Sequence, residues 1–253
     1  VDLKLKPGDR VAIMMPNLLQ YPVAIFGIIL AGGVVVNLNP LDKAPALKRE
    51  LKKSEARIII VLEHFISELN KIIDDIDLEH MIFTSVGALY NPIKGFIYNF
   101  IIRYIKRQVP AWKFSSKAKK YKITRFQKAL KIGSKHDFLK PKIKPDDLAF
   151  LQFTGGTTGD PKAVMLTHAN IMVNLEQCHD WVKDVFTHEQ EIVITPLPLY
   201  HIFALVANLL LFIKVGGLNI LIPNARDLDA FIKQIKDIKF NVISGVNTLY
   251  LGL

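Results

Sequence analysis

One cysteine in 253 residues, Cys178, leaves no internal disulfide framework and suits a reducing compartment. Long apolar runs are missing as well. The longest, Val23 to Val36, contains Gly27, Gly32 and Gly33 and falls short of the roughly 20 residues that cross a bilayer. Ile202 to Ile213 is shorter and is interrupted by Asn208. No transmembrane helix is expected, and no signal peptide, internal repeat or low-complexity linker is visible. The chain opens on Val1 and stops at Leu253 inside an apolar, helix-like run, so both ends read as cuts.

Acidic residues are scarce in one place only. Between Lys94 and Lys144 stand 16 Lys/Arg and one acid, Asp137, whereas the rest of the chain carries 17 Lys/Arg and 22 Asp/Glu. A mildly acidic body therefore holds one strongly basic segment. Half of all residues are apolar, and a chain of this size buries enough of them to fold without a metal or a disulfide.

The apolar pattern predicts an α/β fold with mixed, largely parallel sheets, in two blocks. Strands are expected over 10–15, at Val34 to Val36, over 57–62 and over 81–84, with helices between them near 17–31, 46–54 and 65–73. Asn17 is placed to cap the first of these helices. The regular pattern stops at Asn91-Pro92 and resumes at Leu148, which divides the chain into 1–90, a basic insert over 91–147, and 148–253. The last block reads as strands near 148–153, 163–166, 191–195, 218–222 and 241–244. Its helices are expected after Thr167 (apolar at Ile171, Leu175, Cys178 and Val182), over 202–213, and over 228–238 behind Asp227.

The densest chemical signal is Thr154-Gly155-Gly156-Thr157-Thr158-Gly159-Asp160-Pro161-Lys162. Glycines let backbone amides turn inward, threonines add hydroxyl donors and the lysine adds a cation, a set that can surround phosphate oxygens. The plain alternative is a solvated turn between strands. A Walker A loop does not fit, because Pro161 precedes Lys162, Ala163 follows it, and the next segment reads as a strand.

Phe153 through Lys162, continued by Met165-Leu166-Thr167-His168-Ala169-Asn170, resembles the phosphate-binding loop of the adenylate-forming superfamily: acyl-CoA synthetases, luciferases and peptide-synthetase adenylation domains. The family usually has glycine where this chain has Ala163, and a Cβ there strains the loop if that position needs positive φ. Pro196-Leu197-Pro198-Leu199-Tyr200-His201-Ile202-Phe203 resembles the next family motif, an aromatic–His pair after a proline-rich turn. Three further stretches, Asn37 to Leu41, Gly95 to Phe100 and Gly245 to Leu249, look like bacterial long-chain fatty acid–CoA ligases.

The resemblance implies the N-terminal part of an enzyme that joins a fatty acid to ATP, releases pyrophosphate, and passes the acyl group from AMP to coenzyme A. It implies that Thr154, Gly155, Gly156, Thr157, Thr158, Gly159 and Lys162 hold the β- and γ-phosphates, with Lys162 and His201 as catalytic residues, His201 near the α-phosphate and the substrate carboxylate. Tyr200, His201, Phe203, Leu205, Gly245 and Val246 are implied for the acyl group, although each apolar one reads equally well as core. Magnesium bridges the phosphates in such enzymes, but no protein ligand for it stands out in this span. The adenine motif, the ribose-binding aspartate and the mobile C-terminal domain lie beyond it, so the piece alone is expected to fold at least partly and not to turn over.

Phe96, Ile97, Phe100, Ile101, Tyr104 and Ile105, with Arg103, Lys106 and Arg107, form a basic amphipathic pattern. It fits either an anionic membrane surface or a core-packed helix with a solvated face. Nucleic acid is not expected as a partner. A cytoplasmic protein, peripheral on the inner face of the membrane, is the corresponding location. Two other readings stay open: an adenylating enzyme for aryl or amino acids, and a non-catalytic lipid- or membrane-binding remnant.

Overall fold

A computed structural model describes residues 3, 5–110, 112–154, 161–186 and 190–252. The chain divides into two compact units, one made of 1–15 and 23–166, the other of 16–22 and 167–253.

The first unit is built on a seven-stranded sheet. Its strands are β1 (Arg10–Met14), β2 (Val34–Asn37), β3 (Ile58–Leu62), β4 (His80–Thr84), β5 (Lys122–Arg125), β6 (Leu148–Thr154) and β7 (Lys162–Thr167), in the order β5-β4-β3-β1-β2-β6-β7. The pairings from β5 through to β6 are all parallel. β7 lies beside β6 after the connection 155–161, which is too short for a parallel crossover, so the sheet is mixed but largely parallel. Every residue of β2 and β3 is buried, which is why both are mostly β-branched and, apart from Asn37, apolar rather than alternating.

The helices follow from capping and apolar stripes. α1 spans Gln20–Leu30 and ends at Gly32, which takes φ 76°. In α2 (Ala44–Ser54), Pro45 stands in the first turn and Leu47 and Leu51 face the core. α3 (Ile66–Asn70) buries Ile66 and Leu69 in the same core.

The basic segment is more regular than its sequence indicates. Asn91 accepts from the Ile93 amide at 3.1 Å and caps α4 (Pro92–Phe100), which continues as a π-helical turn over Ile101–Ile105. β5 then joins the sheet edge and α5 (Phe126–Gly133) follows. Two anchors hold the segment down: the Tyr121 hydroxyl lies 2.8 and 2.7 Å from the Ile73 and Ile76 carbonyls, and the Asn70 side chain donates to the Lys113 carbonyl at 2.7 Å. α4 packs through glycine. A Cβ on Gly87 would stand 2.7 Å from the Gly95 carbonyl oxygen, so only glycine allows this approach.

One buried acid sits in this unit. Glu50 is 6% exposed beside the Asp42 carboxyl, and its Oε2 has no partner among the described residues. Burial, reinforced by the Asp42 charge, pushes its pKa up to about 8. The folded protein keeps this proton where the unfolded chain, with a value near 4.5, has lost it. Stability should therefore fall as pH climbs from about 4.5 to about 8, by up to about 5 kcal/mol. Urea unfolding of Glu50→Gln should show that slope flattened; an unchanged slope would place the proton elsewhere.

The second unit has a three-stranded parallel sheet, β10-β8-β9, from β8 (Ile192–Thr195), β9 (Leu218–Leu221) and β10 (Val242–Ile243). α6 (His168–Val182) starts with a capping box in which Thr167 and Asn170 each bond the other's backbone amide. A π-helical stretch, Ala204–Leu210, runs into α7 (Leu211–Lys214). α8 (Leu228–Ile235) is capped by Asp227, and α9 (Asn247–Tyr250) ends the unit. Ile194, Phe231, Ile235 and Leu249 share its core.

Candidate functional site

In the first unit the chemistry gathers where β6 ends and β7 begins. Gly155, Gly156, Thr157, Thr158, Gly159 and Asp160 lie outside the described residues, but both flanks are in place. Thr154 ends β6 exposed, and its Oγ1 lies 3.5 Å from the carbonyl oxygen of Lys162, the first residue of β7. Two adjacent strand ends thus bracket the Gly/Thr stretch. The Lys162 side chain is exposed and has no hydrogen bond or ion pair among the described residues.

Ala163 belongs to β7 and is not among the described residues with positive φ, so its Cβ brings no strain. The loop exit has a support that its own motif does not contain: Lys53, at the end of α2, donates from Nζ to the Pro161 carbonyl at 2.9 Å. Behind the entry, Asn37 on β2 donates to Gln152 on β6 at 3.1 Å, a buried polar pair two residues before Thr154.

In the second unit the Tyr200–His201 pair sits on a tight turn. The His201 amide donates to the Pro198 carbonyl, the Leu205 amide donates to the His201 carbonyl, and the two rings lie 4.5 Å apart. Tyr200 is buried and His201 opens to solvent. Partial burial lowers the His201 pKa below the ordinary imidazole value, which favours the neutral ring at pH 7.

The turn is held by a residue whose local sequence points elsewhere. Asn17 does not cap α1, which begins only at Gln20. Its Nδ2 donates to the carbonyls of Thr195 (3.0 Å) and Leu197 (2.9 Å), and its Oδ1 accepts from the Leu199 amide (2.8 Å). One side chain, 2% exposed, thus satisfies three backbone groups of the turn that leads to Tyr200 and His201.

Asn208, which breaks the apolar run in sequence, is the hub of a second network. It donates to Thr195 Oγ1 at 3.2 Å and exchanges hydrogen bonds with Ser244 Oγ at 2.6 and 2.9 Å, while Asn219 donates to its carbonyl at 2.8 Å. This ties the π-helical stretch to Ser244, the neighbour of Gly245. Leu205 is fully buried, whereas Phe203 and Val246 are 58% and 54% exposed. A Cβ on Gly245 would meet the side chains of Leu249 and Tyr250 at 3.0–3.1 Å.

Neither Asn17 nor Asn208 carries a motif; the only sequence signal is a polar residue beside or within an apolar run. Among the described residues no group of three or more His, Cys, Asp or Glu side chains converges as metal ligands.

The family description "AMP-binding enzyme" matches residues 1–253. The chain is 46% identical over 251 residues to a long-chain-fatty-acid–CoA ligase of Escherichia coli O6:H1, covering 99% of this chain and 44% of the relative. It is 35% identical to the ligase of that name from Bacillus subtilis, covering 98% of the chain and 43% of the relative. It thus spans less than half the length of these curated relatives. Among solved structures, an anthranilate CoA ligase in complex with anthranoyl-AMP superimposes with a TM-score of 0.75 at 20% identity, covering 99% of this chain and 42% of that one.

Proposed function

The chain belongs to the family of AMP-binding enzymes, and from that premise we propose that it is part of an ATP-dependent long-chain fatty acid–CoA ligase. The observation that carries the substrate class is the 46% identity across nearly the whole chain to a ligase of that name. The anthranilate ligase shares the fold at much lower identity, and an aryl acid is accordingly the second choice.

In the proposed reaction a fatty acid carboxylate attacks the α-phosphorus of ATP, pyrophosphate leaves, and an acyl-adenylate forms. The coenzyme A thiol then attacks the acyl carbonyl and AMP departs. The first step brings two anions together, so donors set in advance around the phosphates supply most of what a protein can add. Thr154, Gly155 to Gly159 and Lys162 are the proposed donors, with Lys162 contributing the only formal charge. Magnesium, bound to the nucleotide, would add neutralising charge there.

His201, largely neutral, can offer one N–H to the carboxylate or α-phosphate without adding a cation. Tyr200, Phe203, Leu205, Gly245 and Val246 are the proposed acyl contacts. In a channel of this kind each buried methylene contributes about 0.8 kcal/mol, which favours long chains without polar recognition. ATP–pyrophosphate exchange by the full-length protein, measured with acids from acetate to oleate and with benzoate, should rise with chain length. Exchange with benzoate alone would replace the fatty acid by an aryl acid, and none with any acid would leave a lipid-binding remnant.

We further propose that the protein rests against an anionic membrane surface on the cytoplasmic side. No described helix is long and apolar enough to cross a bilayer. Instead α4 and the turn after it expose Ile93, Ile97, Tyr98 and Ile105 beside the exposed Lys94, Lys106 and Arg107, a combination suited to the headgroup region. The full-length protein should cosediment with phosphatidylglycerol vesicles, less so at high salt, and should not cosediment with phosphatidylcholine. Equal, negligible sedimentation with both would remove the membrane.

A further inference from the structure

The carboxyl ends of β3, β4 and β5 open on a cavity of about 430 Å³, within the range of small-molecule pockets. None of the residues assigned to ATP or to the acyl group lines it, whereas Phe96, Phe100, Arg103 and Tyr104 do and belong to the basic amphipathic pattern of the sequence. Its inner wall is Phe83 and Trp112, edge to face at 5.5 Å. Its outer wall is the aromatic ladder of α4 and the π turn: Phe96, Phe100 and Tyr104, one turn apart, with centroid spacings of 6.5 and 5.0 Å.

These three rings are 72%, 48% and 62% exposed, so the cavity has an apolar flank that nothing in this unit covers. A patch of this kind marks a binding surface more often than a plain solvated face.

The charges at the cavity are unequal. Arg103 is paired with Glu63, so these two neutralise each other. Arg125, the last residue of β5, has no carboxylate partner among the described residues, and its guanidinium lies 5.8 Å from the centre of the Phe83 ring. The buried Nε1 of Trp112 likewise has no acceptor among them. An uncommitted guanidinium above an aromatic wall fits an occupant with an anionic head and an apolar tail, because Arg binds a carboxylate through two parallel N–H donors. The strongly basic stretch around the cavity favours an anion over a neutral ligand of the same shape.

We propose that this cavity is a binding site for one long-chain carboxylate, its head on Arg125 and its chain along Phe96, Phe100 and Tyr104. The choice of a fatty acid among anionic amphiphiles rests on the substrate class proposed above. In the sheet, β5 and β6 are separated by β4, β3, β1 and β2, which is five strand spacings or roughly 24 Å. A carboxylate on Arg125 is therefore out of reach of the phosphate-loop flanks. The site holds a fatty acid; it does not react it.

The test is photolabelling of the full-length protein with a diazirine-bearing palmitate below its critical micelle concentration, followed by peptide mapping. Saturable label is expected on the 93–127 segment. Arg125→Gln and, independently, Phe100→Ser should each reduce it about tenfold with the unfolding midpoint retained. Palmitate should compete at least tenfold better than lysophosphatidylglycerol or coenzyme A. Absence of saturable label there, label indifferent to both substitutions, or better competition by the lysolipid or coenzyme A would each overturn the assignment. Pyrophosphate exchange with palmitate on the same preparations separates the two ideas. Label without exchange would count against the ligase reading alone, and exchange without label against this site alone.

Discussion

Lys162→Met in the full-length protein should lower fatty-acid-dependent ATP–pyrophosphate exchange by two to three orders of magnitude and leave the urea midpoint where it was. The first half follows from the role proposed for the ammonium. A positioned donor to a developing oxyanion is typically worth a factor of about 10² to 10³, and here the donor carries the loop's only full positive charge. The second half follows from its surroundings. Lys162 is exposed at the start of β7 and its side chain has no hydrogen bond or ion pair among the described residues, so truncating it removes none of the contacts they make. A loss of less than tenfold would remove Lys162 from the phosphate site and return the Gly/Thr stretch to an ordinary turn.

Asn17→Ala should cost about 3–5 kcal/mol, seen as a fall in unfolding temperature of roughly 8–15 °C. The mutation deletes two donors and an acceptor and leaves the Thr195 and Leu197 carbonyls and the Leu199 amide without them. Leaving a buried backbone group unsatisfied costs about 1–3 kcal/mol, and three are affected together. Asn17→Asp is the informative companion. It keeps the acceptor for Leu199 but points a carboxylate at two carbonyl oxygens, so it should be no better than alanine. Because the turn 195–199 leads to Tyr200 and His201, pyrophosphate exchange should fall in the same variants. A midpoint shift below about 1 kcal/mol would mean that the turn keeps its shape unaided.

The legible parts of the fold were those whose signal is local. Val34 to Val36 and Ile58 to Leu62 read as buried strands because parallel strands covered on both faces need apolar residues at every position. Thr167 and Asp227 read as helix starts because a cap acts within its own turn. The edge strand β5 was hidden in the basic segment. Lys122-Ile123-Thr124-Arg125 carries charge at both ends, as an edge position permits, and so shows no apolar run. The Gly/Thr loop and the Tyr200–His201 pair were visible as motifs, since dense unusual residue types survive without tertiary context.

Composition, periodicity and motif order by themselves determined the α/β class, most strand positions, the single basic segment and the candidate phosphate loop. Each is written in residues close together in the chain. Tertiary structure decided which polar residues hold the site and where an unassigned cavity opens. Asn17 reads locally as a helix cap, yet its partners lie 178 to 182 residues away. Asn208 reads as a break in an apolar stretch, yet it joins β8, β9 and Ser244. Arg125 and Phe100 are 25 positions apart and line one cavity, Arg125 from the end of β5, which pairs with β4, and Phe100 from α4. A buried polar group must find a partner somewhere, but sequence does not say where: backbone geometry sets the pairing, and strand order sets the backbone.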